Sequence, residues 1–329
     1  MQASWLKNVA MAVVGTAIGG AFLWLAFRTV EFEEVRALAA TISGSLLASA
    51  VMLYWVAIIL RVFRWQLLLR SIGEAPLLPV GETLVVGYAV NNVLPARLGE
   101  VVRAAYAKRR LQIGRARTLG SIVVERFLDL GAILSCLVCG LAMMQAMPGA
   151  TRLPTFELIA LNAGAVIGAL VLMIVIIRSG RLEKIPLPAP VLHVLSEFCA
   201  GLGSLRKHSL LLVLLLTAGV WCFEVLALAR VFSAIDISLS VPQALLIMGA
   251  ASLSTLVPTA PGYLGTYQLV FVLAMASFGY DDSAGIVTSS AIQLALFGSV
   301  TLAGGLILIV RSMRKLHHAG LSHNSAVSS

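Results

Sequence analysis

Five stretches of this chain, residues 8–27, 37–60, 130–151, 158–177 and 283–310, contain no Asp, Glu, Lys or Arg. A sixth, Ser209 to Ala229, is interrupted only by Glu224. Crossing the hydrocarbon of a bilayer takes about 20 apolar residues. Within lipid, every peptide group must find its partner inside its own segment, so each such stretch reads as a helix. The sequence therefore predicts an all-α polytopic membrane protein. Mean hydropathy of +0.96 and a charged fraction of 12% exclude an ordinary soluble domain. The first stretch lacks a short apolar core followed by a small-residue cleavage site, and reads as a retained anchor helix.

In such a chain a net charge of +9 reports topology before it reports a partner, because loops rich in Lys and Arg stay in the cytoplasm. No nucleic-acid partner is expected. With Lys7 inside, Glu31, Glu33 and Glu34 fall outside, and Arg61, Arg64 and Arg70 fall inside. The cluster from Arg103 to Arg117 falls inside too, as do Arg178, Arg181, Lys184, Arg311, Arg314 and Lys315. Both termini then lie in the cytoplasm, with Arg97 and Arg126 at membrane depth. The segment 79–106 starts and ends on the cytoplasmic side, which predicts a re-entrant hairpin. The 44 uncharged residues between Asp236 and Asp281, with Pro258 and Pro261 near their middle, predict a second reversal that starts and ends outside.

The two reversals share Pro-x-x-Leu-Gly, at Pro95 and Pro261, and enter the membrane from opposite sides. This is the pattern of an inverted-topology repeat. The expected architecture is about six full transmembrane helices plus two re-entrant helical hairpins. Residues 1–36 form an anchor helix and external loop. Residues 37–146 form the first repeat, with its hairpin at 79–106, and 147–208 an intervening helix and cytoplasmic linker. Residues 209–311 form the inverted repeat, with its hairpin at 242–278, and 312–329 a disordered cytoplasmic tail. Whether the second reversal is re-entrant or two full spans stays open, as does whether "APVLHVLSEFCAGLGSL" is an interfacial helix or a linker.

Non-helical backbone at membrane depth is tolerated only against protein or a water-filled cavity. The amino end of the half-helix beyond each break can hold an anion. In "NNVLPARLGEVVRAAYAKRR", Asn91, Asn92, Arg97, Gly99, Glu100 and Arg103 are thus candidates to bind a lipid phosphate, and Arg126 of "VERFLDL" is a candidate second contact. A structural Arg97–Glu100 pair that fixes the turn is the alternative. Glu125 and Asp129, at i and i+4, and the isolated Glu224 are candidates for charge balance or proton coupling, Glu224 otherwise hydrogen-bonding a neighbour such as Gln293. The second turn, Pro258, Pro261, Gly262, Tyr263, Gly265, Thr266, Tyr267 and Gln268, is polar but neutral, and reads as shaping a cavity or as packing. Cys136 and Cys139 form a C-x-x-C inside an uncharged run, read as packing. The five histidines show neither metal-ligand spacing nor a catalytic dyad, so no metal or cofactor is expected.

"NNVLPARLGE", "ERFLDL" and "PTAPGYLGTYQ" together make the chain similar, over roughly residues 8–311, to a family of integral membrane proteins. It is named after the transmembrane region of lysylphosphatidylglycerol synthase, the flippase-like part of the multiple peptide resistance factors. The resemblance implies movement of an anionic lipid between leaflets of a bacterial cytoplasmic membrane, without synthesis, since the aminoacyl transferase domain has no counterpart here. Many members have two adjacent glycines and a following glutamate at the second turn, where this chain has Thr266 to Gln268. That departure weakens aminoacylated phosphatidylglycerol as cargo. It resembles instead the stand-alone branch found with glycosyl transfer, polyprenyl-phosphate or hopanoid pathways, so an isoprenoid lipid is an equal candidate. Two alternatives remain: a membrane-embedded lipid-phosphate enzyme, for which no nucleophile and base pair is visible, and a non-transporting partner of a lipid-modifying or glycosyl transferase enzyme.

Overall fold

The computed structural model describes residues 20–28, 30–94, 98–145, 164, 189–202, 207–256 and 260–327. Arg97, Pro95 and Pro258 lie outside the described residues, as do most of the apolar runs 8–27 and 158–177. Among the described residues the secondary structure is entirely helical. Helix α1 covers residues 20–27. It is followed by α2 (Phe32–Ala40), α3 (Gly44–Arg70), α4 (Leu77–Val93), α5 (Leu98–Arg110) and α6 (Arg115–Gln145). Then come α7 (Ala189–Leu202), α8 (Lys207–Ser233), α9 (Val241–Ser254), a 3₁₀ turn (Pro261–Tyr263) and α10 (Thr266–Ser277). A π-helical turn (Ile292–Phe297) joins α11 (Asp282–Ala291) to α12 (Gly298–Val327).

Among the described residues, four segments are long and apolar enough to cross a membrane: Gly44–Arg70, Arg115–Gln145, Leu210–Ser233 and Asp282–Arg314. This is an integral membrane protein. By contrast α4, α5, α9 and α10 have 17, 13, 14 and 12 residues, each too short to span alone.

One sequence expectation is corrected here. The run 37–60 is not one helix: α2 ends at Ala40 and α3 begins at Gly44, with the Ser43 N–H donating to the Ala234 carbonyl (2.9 Å). Helix α3 therefore carries on past residue 60 to Arg70, drawing Arg61 and Arg64 into the bundle. Helix α12 runs on through the tail as far as Val327.

Packing is reciprocal. Helix α3 lies antiparallel to α8, through Leu60 beside Gly219 and Arg64 beside Thr217. Helix α4 lies antiparallel to α12: Gly304 faces Val85 and Ala89, and Asn92 Nδ2 donates to the Phe297 carbonyl (3.1 Å) and Thr301 Oγ1 (3.0 Å). Helix α9 packs on α6 in the same way, Gly140 against Leu246 and Gly249 against Leu137. A long helix, two short ones and another long one thus occur twice. The first short helix of each set packs on the last long helix of the other.

The first break is a tight antiparallel pair. The Gly99 backbone sits on the Gly87 carbonyl and the Asn91 side chain, leaving no room for a Cβ, and Gly87 receives the stem of Arg103. At the open end of this pair Glu82 ion-pairs with Arg110 (3.0 Å) and with Arg311 of α12. The second break turns through Gly262 (φ 67°), Tyr263 (φ 62°) and Gly265 (φ 93°), the left-handed region in which glycine is unstrained. Gln268 Oε1 accepts from the Gly265 N–H (2.9 Å), as Gln243 Oε1 accepts from the Ser240 N–H (2.9 Å) at the start of α9. Both half-helices are therefore capped by a glutamine at the third helical position. Helix α7 is a helix rather than a linker, held to α6 by an Arg117–Glu197 ion pair.

Candidate functional site: a charged cavity between two helix breaks

A cavity of about 310 Å³ lies where the two breaks meet, Gly262 approaching the Asn92 carbonyl. From the first break it takes Asn91, Asn92 and Glu100, and from the second Tyr263 and Tyr267. Its charged wall is Arg61 of α3, Arg126 and Asp129 of α6, and Glu224 of α8, with Tyr54, Tyr88 and Trp221 between them. The remainder is apolar, including Phe127, Leu130, Met248 and Leu256.

Arg61 and Glu224 form an ion pair at 2.6 Å, each side chain about one-tenth exposed. Glu224 is thus not isolated, and its partner is not Gln293. That glutamine donates to the Gly262 carbonyl (2.9 Å) and accepts from Gln268 Nε2 (2.6 Å), so the two amides lock the second turn to the π-helical stretch of the last span. Arg126 reaches Glu125 (2.6 Å) and Asp129 (3.2 Å) through Nη2, while its Nε lies 3.8 Å from Glu100 and has no hydrogen-bond acceptor. Its side chain is about one-third exposed to the cavity.

Behind this wall lies a sealed layer. Arg64 is fully buried and donates to Asp129 Oδ1 (2.7 Å) and Thr217 Oγ1 (3.1 Å). Trp221 Nε1 donates to the same carboxylate oxygen (3.4 Å). Arg103 grips Glu125 with both Nη atoms (3.2 and 2.7 Å), its guanidinium 3.6 Å above the Trp65 ring. Glu125 is itself fully buried and also accepts from the Tyr88 hydroxyl (3.2 Å). Isolated arginines at the bilayer centre cost roughly 2.5 to 3.5 kcal/mol each on insertion scales. Here Arg61, Arg64, Arg103 and Arg126 face Glu100, Glu125, Asp129 and Glu224, four charges against four, so the cluster is neutral.

The model of the lysylphosphatidylglycerol synthase transmembrane region matches residues 12–304. The chain belongs to that family. A UPF0104 membrane protein of Methanocaldococcus jannaschii is 25% identical over 221 residues, 64% of this chain and 92% of that protein. Another, from Pyrococcus horikoshii, is 22% identical over 335 residues, 92% of this chain and 97% of that protein. The glycosyltransferase AglD of Haloferax volcanii is 23% identical over 315 residues, 84% of this chain but 50% of AglD.

In this member of the lysylphosphatidylglycerol synthase transmembrane family, the candidate residues divide into four groups. Asn91, Asn92, Glu100, Arg126, Asp129, Glu224, Tyr263 and Tyr267 meet at the cavity, whereas Arg97 and Pro258 lie outside the described residues. Gly99, Arg103 and Glu125 do not line it. Gly99 is a helix-packing contact, and Arg103 and Glu125 are committed to each other behind the wall. Asn92 touches the cavity while both its amide hydrogens serve α12. Gln268 and Thr266 are buried supports of the second turn, Thr266 Oγ1 donating to the Tyr263 carbonyl (3.1 Å); Pro261, Gly262 and Gly265 set its path. Arg61, Arg64, Tyr54 and Tyr88 are the residues that sequence reasoning missed. Glu224, an acid inside an apolar run that holds no cation, was the signal that a cation had to come from another helix.

Proposed function

We infer that this protein carries a lipid with a phosphate-bearing headgroup between the leaflets of the cytoplasmic membrane. The observation that carries the reading is a cavity among the apolar helices with two arginine side chains, Arg61 and Arg126, on its wall, placed where the two helix breaks meet. About 310 Å³ suits a headgroup and not a whole lipid, so the chains stay in the bilayer. The reciprocal packing of two long-short-short-long sets supports an inverted repeat, with α4–α5 and α9–α10 as re-entrant pairs. Rocking one set against the other would expose the cavity to each side in turn. The Glu82, Arg110 and Arg311 cluster lies on the cytoplasmic side in this reading, with the positive ends of the spans.

Neutrality dictates how an anion enters. A phosphate on Arg126 displaces Glu100, whose 3.8 Å contact with it is the longest on that guanidinium. A phosphate on Arg61 displaces Glu224, which is then placed to take up a proton. In proteoliposomes, a fluorescent anionic lipid should become accessible across the bilayer faster than in protein-free vesicles, and Arg126→Gln should remove the difference while the protein stays folded. Equal rates with and without protein, over a panel of phospholipids and polyprenyl phosphates, would sink the reading.

A second reading is favoured by the match to half of AglD, whose name denotes a glycosyltransferase. Here the chain partners such an enzyme, presenting it with lipid. Co-purification of a glycosyl transferase activity without lipid movement would decide for it.

A further inference from the structure

The α6–α9 seam changes character along its length. Toward the carboxyl end of α6 it is sealed: a Cβ on Gly140 would lie 2.9 Å from Leu246 Cγ and 3.0 Å from the Pro242 carbonyl, and one on Gly249 would overlap Leu137. Toward the amino end of α6 the same two faces line the cavity, with Phe127 and Leu130 on one side and Ser252 and Leu256 on the other. The change has a cause in the sequence: α9 ends at Ser254, while α6 runs on past Leu130 to Phe127 without it. Leu256, just beyond that end, is half exposed and also lines the cavity, so the cavity comes to the surface of the bundle at this side chain. On α6, Arg126 and Asp129 each stand next in sequence to one of the two apolar residues of the seam. The charged pocket thus reaches the surface of the bundle beside a largely apolar slot.

We propose that the slot between Phe127 and Leu130 of α6 and Leu256 after α9 is the binding groove for a hydrocarbon chain of the carried lipid. It is the path by which that chain stays in the bilayer while the headgroup sits at Arg126. The proposal rests on the lipid-carrier reading for its ligand. What places the ligand is the slot's continuity with the charged cavity: a chain anchored at Arg126 reaches the bilayer here past Phe127, Leu130 and Leu256, with Ser252 the polar side chain beside them. The glycine contacts at Gly140 and Gly249 form the closed end of the seam, so the chain enters from the Leu256 end.

The test replaces Leu130, or in a second variant Leu256, by a benzophenone-bearing residue, which inserts into nearby C–H bonds on irradiation. Native membranes are irradiated, and the lipid adducts are identified by mass spectrometry. The same residue in place of Leu302, on the exposed face of α12, samples bulk lipid. Adducts at 130 and 256 should be enriched in one phosphate-bearing headgroup class relative to those at 302. Arg126→Gln removes the charge-assisted grip on that headgroup and should lower the enrichment roughly tenfold. Bulk composition at both positions, no lipid adduct there, or an enrichment indifferent to Arg126 would each overturn the proposal. Enriched, Arg126-dependent adducts in a protein that moves no lipid in vesicles would leave the groove standing and remove the carrier reading.

Discussion

Glu125→Gln tests the charge network at its most loaded point. The carboxylate is fully buried and accepts from Arg103 twice, at 3.2 and 2.7 Å, and from Arg126 at 2.6 Å, with Arg64 at 3.8 Å. A neutral amide keeps the shape but turns an NH₂ toward one of these guanidinium groups. Breaking one side of a buried ion pair costs about 3 to 5 kcal/mol, because the remaining charge is stranded. At about 2 to 4 °C per kcal/mol the thermal midpoint in detergent should fall by roughly 6 to 20 °C. Differential scanning fluorimetry of the two proteins side by side reads this directly. Arg103→Met in the Glu125→Gln background should recover part of the loss, with a coupling of about 0.5 to 3 kcal/mol between the two positions. A midpoint unchanged to within a degree would mean that the cluster is hydrated, and the sealed layer behind the cavity would be wrong.

Three further outcomes follow from the packing. Arg61→Met should leave Glu224 buried and unpaired and abolish lipid movement, while Arg61→Met with Glu224→Gln should restore the thermal midpoint without restoring movement. Gly304 packs on Ala89, but its neighbour Gly305 has nothing within 4 Å; Gly305→Ala should therefore stabilise by up to about 1 kcal/mol, and Gly304→Ala should lower both expression and thermal midpoint. Gln293→Leu orphans the Gly262 carbonyl and the Gln268 amide, each lost partner costing about 1 to 3 kcal/mol, and limited proteolysis should cut first at the second turn.

The long apolar helices were legible in part because lipid enforces a simple rule: α8 falls within a few residues of its apolar run 209–229, whereas α6 begins at Arg115, ahead of the run 130–151, because Glu125, Arg126 and Asp129 are paired inside the bundle. The two breaks were legible too, since Pro and Gly inside such runs have few other uses. The register of α3 was not. Its apolar run ends at Leu60, and a rule that sends cations to the cytoplasm stopped the span there. The helix continues because Arg61 and Arg64 find Glu224 and Asp129 on helices more than 60 residues away. Arg103 was placed with the cytoplasmic cluster that runs to Arg117 for the same reason, though Glu125 and Trp65 hold it inside the bundle. Pairing across the bundle is a tertiary fact that no local pattern carries. The acid inside the apolar run 209–229, Glu224, nonetheless required a cation from another helix.

That balance also constrains the chemistry. A cavity walled by free cations would hold a phosphate too tightly to release it and would be expensive to insert. A wall of ion pairs avoids both, since each arginine is neutralised at rest and an arriving phosphate gains only the difference between itself and the carboxylate it replaces. Among the described residues the contact best suited to such exchange is Glu100 on Arg126. It is long at 3.8 Å, both side chains are about three-tenths exposed, and Glu100 sits in the first turn of α5, where the helix dipole steadies its charge once it lets go. Glu100→Gln should therefore tighten retention of anionic lipid through purification and slow its movement across the bilayer. A faster rate with weaker retention would mean that Glu100 attracts cargo instead of yielding to it.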